Sequence, residues 1–165
     1  MEPLDLEPWH DFAVATAGAA GALAGLIMVA ISVNVKEIIA GPGLAARAGA
    51  TIASVMVILV SASAMLIPGQ AALWLGVELA AFGFVAVCFQ IDAARRMFAA
   101  STGAPLVSKI VNAILGVGAL LWVVFGGIVT ATGSPTGLVH VAAGFITIFI
   151  TAVLNAWVLM IEILR

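Results

Sequence analysis

Five stretches of the chain, about 12–35, 48–67, 71–91, 108–130 and 138–162, each run for the width of a bilayer with almost no charge. A hydrocarbon core of ~30 Å needs roughly 20 apolar residues in a helix. Only helices and closed barrels satisfy every backbone polar group in lipid. The composition agrees: 64% of the residues are hydrophobic and 8% charged, with a mean hydropathy of +1.28. A water-soluble domain carries about 25% charged residues. The expected fold is therefore all-α, a polytopic transmembrane bundle of five spans forming a single domain over residues 1–165.

The breaks between spans are punctuated by turn-forming residues. "KEIIAGPGLAAR" carries charges and Gly-Pro-Gly; "IPGQ" turns in almost no space; "DAARRMFAASTGAP" is the longest polar stretch; "ATGSPTG" is a Gly/Ser/Pro turn. The rival reading has four spans, with "IPGQ" kinking one re-entrant segment. Residues 48–91 hold two full membrane lengths, which makes a hairpin the simpler arrangement. All six basic residues, Lys36, Arg47, Arg95, Arg96, Lys109 and Arg165, flank the first and third loops or end the chain. The positive-inside rule then places the N-terminus outside and the C-terminus inside. The first residues, "MEPLDLEPWHDF", are acidic and lack the basic region of a signal peptide. Trp9 and Trp74 suit an outer aromatic belt and Trp157 an inner one, whereas Trp122 falls mid-span.

Lipid tails are as apolar as leucine, so helices associate through close packing at small residues and a few hydrogen bonds. The first span offers Gly18, Gly21 and Gly25, with Ser32 continuing that face; the fourth offers Gly116 and Gly126. Thr51, Ser54 and Ser61 share one side of the second span. Such stripes serve packing within one chain, or an interface between copies. A homo-oligomer is expected here, with the first span's stripe as its contact.

Several polar residues inside the spans need a reason to be there. At 100° per residue, His140, Gly144, Thr147, Thr151, Asn155 and Glu162 share one face of the last span. That stripe satisfies itself on backbone carbonyls and neighbouring helices, or lines a hydrated cavity. Glu78 lies about 10 Å below the start of the third span at ~1.5 Å per residue. A carboxylate there stays protonated or finds a partner. His140 is the titratable candidate inside a span on the same side, and His10, Asp11 and Gln70 stand at the outer mouth. Deeper on the inner side, Asn112 and Asn155 are expected to hydrogen-bond between helices. Asn34, Lys36, Glu37, Gln90, Asp92 and Glu162 lie near span ends, where interfacial water makes polarity cheap.

Chemical motifs are missing from this pattern. The sequence holds no P-loop, GxSxG, HExxH, GxGxxG or CxxC, and the single cysteine, Cys88, excludes an internal disulfide. Neither Glu78 nor His140 has a second metal ligand at helical spacing in its span. An enzyme, a cofactor and a metal are not expected. The formal net charge of −2 and the lack of a basic run also argue against nucleic acid.

"WHDF", then "AGAAGALAGLIMVAISVNV", then "PGQ" and "LGVEL", resemble a group of small, uncharacterised bacterial membrane proteins often labelled modulators of the FtsH protease. The matching elements are Trp9, Asp11 and Phe12; Gly21, Gly25, Ser32 and Asn34; and Pro68, Gly69, Gln70, Gly76 and Glu78, spanning about residues 9–80. The resemblance implies a multi-pass protein of the bacterial inner membrane. Its label implies an accessory or regulatory subunit that works through helix–helix contacts with larger membrane machinery. The alternative is a small oligomeric channel for protons or ions, lined by the polar face of the last span.

Overall fold

The computed structural model describes residues 6–41, 43–99 and 106–163, with the backbone alone for Ser108 and residues 158–163. Among these residues the regular elements are all helices, joined by short turns. A 3-10 turn (Glu7–Trp9) leads into α1 (His10–Val33), followed by the short α2 (Val35–Ala40), α3 (Leu44–Met65), α4 (Ala72–Ala99), α5 (Leu106–Ala131) and α6 (Thr136–Ile163). All but α2 are long and apolar enough to cross a membrane. "IPGQ" separates two full helices, so the five-span reading holds over the four-span one.

Local chemistry sets the breaks. Asn34 leaves helical geometry (φ −112°, ψ 26°) and its amide turns back to donate to Ala30 O at 2.8 Å, closing α1 two residues short of the expected boundary. After α2, Gly43 enters α3 at φ 82°, a conformation that glycine adopts without steric cost. Gly69, after Pro68, takes φ 71° in the α3–α4 turn, and Gly133 takes φ 85° before Pro135 and α6. The helices thus run up and down. One end of the bundle carries Lys36, Arg95, Arg96 and Lys109 and is called the basic end below. Trp9, Gln70 and Ser134 mark the opposite end.

The core is uneven. Helix α3 is central, touching α1, α4 and α6, while α4–α5 and α5–α6 form tight hairpins. Ile58, Leu75, Leu79, Leu120, Val123 and Phe145 are wholly buried. Helix α1 leans on α3, and 11% of its most apolar stretch is buried against 61% for α3. Its start is pinned by aromatic contacts: Trp9 meets Phe12 edge-on at 5.9 Å, and Phe12 stacks on Phe145 of α6 at 6.4 Å.

Glycine sorts the helix contacts. A methyl group on Gly76 of α4 would run into the α5 backbone at Gly127 and Ala131, and one on Gly127 would lie 2.6 Å from Ala80 N. On the other side of α5, a methyl on Gly126 would lie 2.7 Å from Val141 N, and one on Gly144 would lie 3.1 Å from Ala119 O. These backbones approach each other because nothing stands between them. In α1 the expected stripe divides. Gly21 turns toward α3, with Leu59 Cδ1 3.9 Å from where its Cβ would be, while Gly18 and Gly25 face open space.

Candidate functional site

The polar residues of the spans gather at two levels. Toward the basic end, Arg47 of α3, Gln90 of α4, Asn112 of α5 and Asn155 of α6 line one small cavity. At ~1.5 Å per residue, all four lie within about 14 Å of the same ends of their helices. Arg47 and Gln90 are each 8% exposed and Asn155 is 9% exposed. Charged and amide side chains this deep need hydrogen bonds to offset lost solvation.

The guanidinium finds them on two carboxamides. Arg47 Nη2 donates to Asn155 Oδ1 at 3.1 Å. The Asn112 amide satisfies Arg47 with its oxygen turned inward, accepting from Nη2 at 3.0 Å and Nε at 3.2 Å. Its nitrogen then donates to Asn155 Oδ1 at 3.2 Å, and the two amide oxygens converge to 2.7 Å on the guanidinium they share. The interhelical Asn112–Asn155 contact foreseen from depth is therefore present, with a cation at its centre. A planar fork of N–H donors suits this role better than a lysine ammonium would.

Gln90 completes the walls from α4. Its amide lies across Gly116, where any added Cβ would strike Gln90 Nε2. Gly116 was expected to let helices pack, and it does so by seating an amide rather than a backbone. Gln90 Oε1 is buried with no protein donor among the described residues.

Sequence reasoning used Arg47 only to orient the chain and left Gln90 among the cheap polar residues of span ends. The missed signal lies along α3. Arg47, Thr51, Ser54, Ile58 and Ser61 recur at helical spacing and all are buried, so the polar side already seen at Thr51 begins one turn earlier. Thr51 and Ser54 return their hydroxyls to Arg47 O and Ala50 O, each at 2.9 Å.

At the opposite end, Glu78 accepts from Gln70 Nε2 at 2.7 Å. The anticipated Glu78–His140 hydrogen bond is not formed among the described residues. The Pro68–Gly69 turn carries Gln70 back over the first turns of α4, and a neighbour eight residues away reaches the carboxylate first. His140 instead sits edge-on to two rings, Phe125 at 5.0 Å and Trp122 at 5.6 Å. Mid-span Trp122 is thus half exposed and partnered by α6. His10 and Asp11 are exposed at the start of α1.

The remaining stripe of α6 is consumed locally. Gly144 is buried against α5, Thr147 donates to Ala143 O at 2.8 Å, and Thr151 donates to Ile148 O at 3.0 Å. The side chain of Glu162 lies outside the described residues. Asp92 and Arg96 pair at 2.7 Å on the surface of α4. Among the described residues no three His, Cys, Asp or Glu side chains converge as a metal site would require. Chemically, the buried cluster clamps three helices, α3, α5 and α6, through side-chain hydrogen bonds, with Gln90 of α4 beside it.

No family model, no curated protein and no solved structure matches this chain.

Proposed function

We propose that the chain is a non-enzymatic accessory or regulatory subunit of the bacterial inner membrane, N-terminus outside, that docks on a membrane partner through α1. One observation carries this reading. Ala15, Gly18, Ala22, Gly25, Val29 and Ser32 recur at alternating spacings of three and four, and all are exposed. This seam of small residues would let a second transmembrane helix approach closely. The rest of the bundle is joined without it, since α3 to α6 hold one another through buried leucines, glycines and the Arg47 cluster. The polar face of α6, which a channel would need, is spent on its own backbone and on Arg47 and Asn112. That favours docking over permeation.

The occupant of the seam is an apolar membrane helix, in a larger complex or in a second copy of the chain. In a Cys88→Ala background, Gly18→Cys or Gly25→Cys in native membranes should give crosslinked adducts with a short bifunctional reagent. Val85→Cys, exposed on α4, serves as the comparison. Adducts at Val85 and none at the seam would reject the reading. Proteoliposomes should show no proton or ion flux above background; a flux that Thr147→Leu abolishes would restore the channel alternative. For orientation, Thr132→Cys should react with an impermeant reagent from outside and Ala40→Cys should not.

A further inference from the structure

The cavity between Arg47, Gln90, Asn112 and Asn155 has room for about one water molecule. Its other walls are alanines and Met97. Gln90 Oε1 lies buried in this wall with no donor among the described residues, although Gln90 is more than nine-tenths buried. A buried acceptor left unmet loses its solvation with nothing in return. The same cavity is lined by the guanidinium of Arg47 and the carboxamides of Asn112 and Asn155, side chains that carry N–H donors.

We infer that this cavity is a binding site for a single ordered water, which donates to Gln90 Oε1 and accepts from the Arg47–Asn112–Asn155 cluster. The chemistry excludes the other small candidates. A cation would be repelled by the adjacent guanidinium. An anion could face Arg47 but would leave an acceptor opposite an acceptor at Gln90. A larger neutral molecule exceeds the volume. Water both donates and accepts, and a buried water typically makes about three hydrogen bonds to otherwise unsatisfied groups. The water joins α4 to the clamp that α3, α5 and α6 make directly. The inference is independent of what docks on α1.

The test is water-to-carboxamide cross-relaxation by NMR on the full chain in lipid nanodiscs, with the side-chain amides of Gln90, Asn112 and Asn155 resolved. A resident water should give cross-peaks at Gln90 and at one or both asparagines. In Gln90→Met, which keeps the shape and removes the acceptor, those cross-peaks should be lost while the Asn112 and Asn155 amides remain dispersed. Resolved amides with no water cross-peak in the native chain would overturn the site, and that measurement needs no variant. Asparagine cross-peaks that persist unchanged in Gln90→Met would overturn Gln90's part in it. If Gln90→Met fails to fold, Gln90→Leu takes its place.

Discussion

The glycines of α1 and those of α5 read alike in the sequence and sit in opposite surroundings. Gly126 and Gly127 are back to back, one against α6 and the other against α4, with no room for a methyl group on either side. A methyl group on Gly18 or Gly25 would meet no other helix within 4 Å. Small residues therefore announce that a backbone can be approached, not that this chain does the approaching. In α5 the approach is intramolecular and closed. In α1 it is available from outside.

The sharpest break in that comparison is Gly127→Val. Its side chain would meet the Ala80 and Gly76 backbones, which cannot swing aside as a flexible side chain would. Overpacking of a core commonly costs about 1–3 kcal/mol and sometimes more, and the upper end is expected here, read as loss of a monodisperse folded species in detergent. Next comes Asn155→Leu, which takes a partner from a buried cation. Hydrogen bonds to charged groups are worth about 1.5–3 kcal/mol, so thermal stability should fall by that order, and Asn112→Leu should behave similarly. Arg47→Met combined with Asn155→Leu should cost less than Asn155→Leu alone, because no buried charge is left behind.

A smaller effect is expected at the opposite end. Glu78→Gln should lower stability by about 1 kcal/mol or less, since Gln70 still has an oxygen to meet and the pair is only part-buried. A double-mutant cycle of Glu78→Gln with Gln70→Ala should show coupling. The same cycle with His140→Gln should be additive within about 0.5 kcal/mol. The smallest effect on the isolated chain is expected from Gly18→Leu and Gly25→Leu, within roughly 0.5 kcal/mol of native stability as for surface changes. The same two variants should abolish seam crosslinks made from a neighbouring cysteine at Ala22. A stability loss at Gly25 equal to that at Gly127 would erase the contrast between the two helices.

The five spans were legible because hydropathy sums over some 20 residues, and no single misjudged position can undo it. Short features were not. Helix α2 is six residues with two charges, too brief for any periodicity to emerge, and Asn34 ended α1 through its own side chain. The inner cluster was half legible. Asn112 and Asn155 stood out as polar among apolar residues, whereas Arg47 was taken for a loop charge because α3 begins at Leu44 rather than near Ala48. Depth alone paired Glu78 with His140. A turn geometry set by Gly69 gave the carboxylate to Gln70, and that choice is invisible until the backbone is placed.

The span of the Arg47–Asn155 hydrogen bond, 108 residues of chain, has a meaning in time. At synthesis rates of about 5–20 residues per second, Arg47 leaves the ribosome roughly 5–20 s before Asn155. Through that interval α3 resides in or beside the bilayer with a cation and without one of the amides that later holds it. Its place one turn from the end of the helix makes the wait tolerable, since a long side chain there reaches the headgroups, while the same residue at mid-helix would cost about 2.5–3.5 kcal/mol. The amides that hold the guanidinium in the folded chain arrive only with α5 and α6. Helix α6, made long after α3, thus carries the amide that fixes the guanidinium of α3 in the folded bundle.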